Sequence, residues 1–214
     1  RTYCALASDF DTQSMRDRYE EYRKNPYLGK NNELAGTDFG TTWWYVCVHP
    51  YEPYVNFNIE MDLHSNRELL WMQYDYDIEG LLYWGTAMYV ETTSSIDTIN
   101  GAVTGDVYHK TNGVSTGANG DGYLVYPGAK YGTDTPIPTM RLMELRDGFE
   151  EYEFLYLLEN EVNDALAEHN FKGSFDEIMA DIYATLYRGA VPEQDYTLVL
   201  EARAKVAEMI TAIQ

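Results

Sequence analysis

The residues best suited to chemistry are rings and guanidinium groups placed where apolar runs end. Trp43, Trp44 and Tyr45 follow one another in TTWWYVCV, Trp84 closes LLYW ahead of the small Gly85, and Tyr126 comes just before Pro127-Gly128. Arg67 and Arg141 fall in the first turns of two helical segments. An aromatic ring has an apolar face and a polar edge, which suits a sugar ring as well as a protein core. A guanidinium offers a planar fork of donors that matches carboxylates and sugar hydroxyls. Core packing is the competing role for every ring, and structural ion pairing for both arginines, whose sequence neighbours include Glu68 and Glu144. With twenty tyrosines and four tryptophans in the chain, it is clustering at run ends, not abundance, that singles these rings out.

Other patterns carry less. Asp75-Tyr76-Asp77 and Asn119-Gly120-Asp121-Gly122 resemble fragments of calcium loops but lack the full ligand series and its distal Glu. The pairs Glu20-Glu21, Glu150-Glu151 and Asp176-Glu177 fall on helical segments, so they are expected to be surface charges; Asp9 is the carboxylate nearest a strand end. His49 ends an apolar run at a His-Pro turn with no nucleophile or carboxylate identifiable beside it. His64, His109 and His169 lack metal-ligand spacing. Cys4 and Cys47 form no CxxC pair and sit in apolar runs, which predicts buried free thiols and no zinc. No GxSxG, HExxH, GxGxxG or P-loop pattern occurs, so neither a metal nor a cofactor is expected.

These groups need a scaffold, and the chain reads as alternating strands and helices. Thr2–Ala7 is a short strand and Asp11–Lys24 an amphipathic helix; Thr41–Val48 is a second strand, apolar almost throughout as a parallel strand buried on both faces would be. A helix over Asp62–Tyr76, with Asp62 or Ser65 as cap, leads to a third strand in LLYWGTAMY. Residues 91–119 are rich in Thr, Ser, Gly and Asn and read as a long loop, either a functional lid or a mobile insertion. A fourth strand is expected at Tyr123–Tyr126, stopped by Pro127-Gly128. Thr139 is placed to cap a long helix with Leu142, Leu145, Phe149, Tyr152 and Leu155 or Tyr156 on its apolar face. Gly148 inside it costs about 1 kcal/mol against Ala; it either allows close approach of another backbone or is simply tolerated. Two more helices follow, near Ser174–Tyr187 and Glu193–Ala212.

The fold class is therefore α/β: about four parallel βα units, the C-terminal half of a (β/α)8 barrel over residues 1–170, with a helical extension at 171–214 packed on the same domain. Such a half would expose two strand edges, so a missing N-terminal half or a second copy is expected to cover them. Arg1 begins mid-pattern with no signal peptide ahead of it, as in a piece or processed product of something longer. A net charge of −20 repels phosphate backbones and argues against nucleic acid as a partner; no run reaches the roughly 20 apolar residues of a membrane span.

Five segments in order, WWYVCVHPYEPYVNFNIE, RELLW from Arg67, GLLYW, GDGYLVYPG and MRLMELRDGFEEYEFLYLL, resemble the C-terminal part of the glycoside hydrolase family 123 catalytic domain. The likeness is good over Thr41–Leu158 and loose over Thr2–Gly40. It implies a (β/α)8 barrel, an extracytoplasmic or secreted location, a glycan as partner and β-N-acetylgalactosaminidase chemistry. That chemistry retains configuration without an enzyme nucleophile: the substrate's acetamido oxygen attacks the anomeric carbon, an Asp orients it, and a Glu protonates the leaving oxygen. The family's adjacent Asp-Glu pair belongs to an earlier strand end, upstream of the matched segment, so the resemblance assigns no catalytic residue here. It assigns a pocket wall: Trp44, Tyr45, Arg67, Trp84, Tyr126 and Arg141. The alternative is a barrel module that binds glycan, or serves as structure, without catalysis.

Overall fold

The computed structural model describes residues 2–24, 40–87, 96–97, 102–103, 118–170 and 172–213. Three strands, β1 (Thr2–Leu6), β2 (Thr41–Val46) and β3 (Gly80–Tyr83), form a parallel sheet in the order β1-β2-β3. Helices α1 (Gln13–Lys24) and α2 (Ser65–Asp75) lie between them in the chain, as parallel pairing requires.

Register sorts the side chains into two faces. Trp43 pairs with Cys4 and Gly80, and Tyr45 with Leu6 and Leu82, so these side chains share one face. Thr42, Trp44 and Val46 point the other way and are buried against the helices. The expectation of strands buried on both faces is corrected: Trp43 and Leu82 are 37% and 42% exposed, and no described helix covers them. The expected burial of the thiols fails for the same reason. Cys4, beside Trp43, is exposed, and Cys47 is half-buried; both are free. Gly80 leaves room for the Trp43 indole, which a Cβ there would displace.

Beyond β3 the chain departs from four equivalent βα units. The short β4 (Ile96–Asp97) and β5 (Ala102–Val103) pair antiparallel; the rest of the expected 91–119 loop, up to residue 117, lies outside the described residues. The expected fourth parallel strand is instead β6 (Val125–Tyr126), paired antiparallel with β7 (Ile137–Pro138). Left-handed turns at Gly120 (φ 77°) and Gly122 (φ 79°) reverse the chain, so that Tyr123 bridges Ala87 in antiparallel sense. The amides of Leu124 and Val125 then both donate to the Thr86 carbonyl. Backbone donors satisfied there cannot also extend the parallel ladder.

The long helix α3 (Met140–His169) begins as expected, with the Thr139 hydroxyl accepting from the Leu142 amide at 3.2 Å. The same hydroxyl donates to the Leu124 carbonyl at 2.9 Å and ties the helix start to the ribbon. Its buried face differs from the expected one: Arg141, Leu145, Gly148, Glu151, Leu155, Leu158 and Val162 point inward, while Phe149 and Tyr156 are exposed. Two buried charges and a glycine occupy that stripe, which an apolar period skips. At α2 the expected caps do not form; His64 is the N-cap residue without a side-chain cap bond, and Ser65 donates to the Asp62 carbonyl instead.

Helix α4 (Phe175–Leu186) opens with a reciprocal Ser174–Glu177 capping box. The hairpin β8 (Tyr187–Arg188) and β9 (Val191–Pro192) leads to α5 (Tyr196–Ile213). Met179 and Leu186 of α4 and Val199 and Val206 of α5 join Trp44, Leu70, Trp71 and Leu155 in one apolar cluster. No described helix is long and apolar enough to cross a membrane.

Candidate functional site

The C-terminal end of β3 delivers Tyr83 and then Trp84. The ribbon that follows brings Asp121 against both. The Trp84 indole N–H donates to Asp121 Oδ1 at 2.8 Å, and the Tyr83 hydroxyl donates to the same oxygen at 3.1 Å. The Gly122 amide in turn donates to the Tyr83 oxygen at 2.6 Å. Asp121 is 1% exposed, and its other oxygen, Oδ2, has no hydrogen-bond partner among the described residues. Burial, ahead of the neighbouring Asp121 charge, pushes the Tyr83 hydroxyl well above its ordinary pKa and keeps it a donor. The edge of the Phe57 ring packs on Tyr83, with ring centres 5.0 Å apart.

Arg141 holds this corner together from the first turn of α3. Its guanidinium donates to the carbonyls of Phe57, Gly120 (2.8 Å) and Tyr123. Burial lowers its pKa, while Tyr126, Tyr83 and Asp121 act in the opposite direction by charge and hydrogen bonding. Gly120 is tightly constrained: a Cβ would lie 2.6 Å from the Arg141 guanidinium, at a backbone φ that favours glycine. One arginine thus pins the turn that carries Asp121.

The six residues of the expected pocket wall separate into three groups. Trp84, 39% exposed, and Tyr126, 9% exposed, sit at the β3 exit and on the adjoining ribbon, with Arg141 behind them. Tyr45 is half-buried on the open sheet face, beside Leu82. Trp44 and Arg67 lie elsewhere. Trp44 is fully buried, its indole N–H donating to Gln73 Oε1 at 2.9 Å and its ring perpendicular to that of Phe10, with ring centres 5.7 Å apart. Arg67, 7% exposed, is clamped between α2 and α3 by Glu151, with Glu144 3.8 Å away. The Trp71 indole donates to Glu151 Oε2 at 2.8 Å.

The last contact overturns one expectation. Glu150 is exposed, but Glu151 is 0% exposed and is the true partner of Arg67, so Glu150-Glu151 is not a surface pair. Glu20, Glu21, Asp176 and Glu177 are exposed as expected. His49 is exposed, its ring 4.4 Å from that of Tyr51. Among the described residues no three His, Cys, Asp or Glu side chains gather as a metal site.

Tyr83 and Asp121 were not singled out by residue type and spacing. The signal for Asp121 was present in GDG. Two glycines free to turn left-handed around one acid can fold that acid inward, yet the motif reads equally as part of a calcium loop.

Residues 8–158 match the family described as glycoside hydrolase 123, catalytic domain, and the chain belongs to that family. No curated protein matches the chain. Among solved structures, one reported under glycolipid glycan hydrolysis by a family 123 glycoside hydrolase from Clostridium perfringens is similar to it. The identity is 17% and the TM-score 0.49, with 81% of this chain and 27% of that chain covered. The chain thus spans about a quarter of that structure's length.

Proposed function

We propose that the chain forms part of the glycan-binding wall of a retaining glycoside hydrolase acting on β-linked N-acetylhexosamine, β-N-acetylgalactosamine first. The parallel strands β1 to β3 are read as an arc of a (β/α)8 barrel whose working face lies at their C-terminal ends. The observation that carries this reading is Trp84: an exposed indole at the end of β3, held by a buried carboxylate, in a chain of a glycoside hydrolase family. An indole face stacks on the apolar face of a pyranose, and Tyr126 and Tyr45 are the further rings within the proposed wall. Arg141 shapes the wall through three backbone carbonyls. Trp44 and Arg67 support it from the core.

In the proposed reaction the substrate's acetamido oxygen forms a bond to the anomeric carbon. The bond from that carbon to the leaving oxygen breaks, and a carboxylic acid supplies the proton that oxygen needs. Water then opens the cyclic intermediate with retention. The acid and the acetamido-orienting Asp are assigned to an earlier strand end than any in this chain, so these residues bind and orient the sugar and move no proton.

The test uses the full natural chain, with a chromogenic β-N-acetylgalactosaminide as substrate and N-acetylgalactosamine as the binding probe. Turnover that Trp84→Ala reduces at least tenfold, chiefly through KM, supports the reading. Saturable binding without turnover would favour the non-catalytic module. No binding and no turnover would overturn both.

A further inference from the structure

We propose that Asp121 is a two-sided residue of this site: Oδ1 fixes the plane of the Trp84 indole, and Oδ2 accepts a hydrogen bond from a hydroxyl of the glycan stacked on that ring. The inference rests on the glycan reading above. Its starting point is an inequality within one carboxylate. Oδ1 accepts two hydrogen bonds, from the Trp84 indole and the Tyr83 hydroxyl. Oδ2 accepts none among the described residues, although the side chain is 1% exposed. A buried acceptor left unmatched is destabilising, because its hydration is lost and not replaced. Positions that tolerate such a cost call for an explanation such as a functional role or a bound water.

The surroundings select a ligand with donors. Arg141, a neighbouring cation, spends its guanidinium on the Phe57, Gly120 and Tyr123 carbonyls. The Tyr83 hydroxyl already donates to Oδ1. The neighbouring Trp84 leaves 39% of its surface open. A pyranose lying on that ring carries hydroxyls around its rim, and a carboxylate at the indole edge is a strong acceptor for one of them. A cation would also suit Oδ2, but a partly exposed indole with one carboxylate at its edge among the described residues favours a flat, neutral, hydroxylated ring.

Two substitutions separate the roles. Asp121→Asn retains one oxygen for the indole and places an amide where Oδ2 was. Asp121→Leu removes both acceptors. The indole N–H resonance of Trp84, assigned by comparison with Trp84→Phe, reports the first role whether or not a sugar binds. Titration with N-acetylgalactosamine reports the second. Asp121→Asn should leave the indole resonance near its wild-type position and weaken binding about tenfold. Asp121→Leu should move the resonance upfield and weaken binding further.

An indole resonance unchanged in Asp121→Leu would overturn the positioning role. Unchanged affinity in Asp121→Asn would overturn the ligand role and leave Oδ2 to a bound water. Should wild type fail to bind N-acetylgalactosamine, the glycan reading and the ligand role fall together, while the resonance still decides the positioning role. If Asp121→Leu does not fold, Tyr83→Phe with wild-type Asp121 serves as control, because loss of one donor to Oδ1 should shift the indole resonance without removing Oδ2.

Discussion

Gly148 of α3 lies against the backbone of Arg67 in α2: a Cβ at position 148 would sit 3.0 Å from the Arg67 Cα and 3.4 Å from its carbonyl oxygen. The atoms in the way are helix backbone, which cannot swing aside like a side-chain tip. Arg67 is further held by Glu151, one turn along α3 from Gly148. Ala at position 148 would gain about 1 kcal/mol of helix propensity, but forcing the helices apart costs about 1–3 kcal/mol. Gly148→Ala should therefore lower the denaturation midpoint slightly, and Gly148→Val should lower it strongly. A Gly148→Ala protein more stable than wild type in urea titration would mean the helices separate at little cost.

The Arg67–Glu151 pair sits in the same interface. Glu151→Ala leaves a buried guanidinium without its counter-charge and removes the acceptor of the Trp71 indole. A loss of about 3–5 kcal/mol is expected. Arg67→Met combined with Glu151→Leu removes both charges and should recover most of it. A double-mutant cycle in urea measures the coupling, and a coupling near zero would show the pair to be incidental.

Glu68 makes stability depend on pH. It is 0% exposed, neither oxygen has a hydrogen-bond partner among the described residues, and His64 approaches no closer than 3.9 Å. Burial first, then repulsion by Glu193 and Asp62, pushes its pKa up to about 9 from the ordinary 4.5; Arg67 opposes this. The folded state thus keeps a proton that the unfolded chain releases near pH 4.5. The contribution is complete below that value and declines as pH rises through about 9, at about 1.4 kcal/mol per pH unit between the two. Glu68→Gln should flatten this part of the stability profile and raise stability at pH 8. Parallel wild-type and mutant profiles from pH 5 to pH 9 would contradict it.

Two tryptophans on neighbouring strands should behave in opposite ways. Trp44→Ala empties a fully buried site and removes the hydrogen bond to Gln73, with an expected loss of about 3–5 kcal/mol. Trp84→Ala removes a ring that is 39% exposed and should cost no more than about 1 kcal/mol of stability while abolishing most sugar affinity. Thermal unfolding and a sugar titration on both variants compare the two. Equal stability losses would place Trp84 in the core as well.

Local chemistry in the chain determined much of this protein. The strands at β1, β2 and β3, the helices between them and the Thr139 cap all follow from short-range pattern, because propensity, capping and period act within a few residues. So do the ordered segments that resemble glycoside hydrolase family 123. Tertiary structure decided what depends on direction and partners. TTWWYVCV is apolar on both parities and does not say which one meets the helices; only the packing of α1 against β2 and the bond from Trp44 to Gln73 of α2 send Trp44 inward and leave Trp43 and Tyr45 on the open face. The apolar period of α3 pointed to Phe149, while the buried stripe runs through Arg141 and Glu151, since a charge can be buried once a partner from a distant segment neutralises it. The ribbon at Val125–Tyr126 runs antiparallel because turns at Gly120 and Gly122 reverse the chain, and those same turns fold Asp121 under Trp84. Residue types alone nominated the ring but not the acid; only the contact between positions 37 apart in sequence makes them one site.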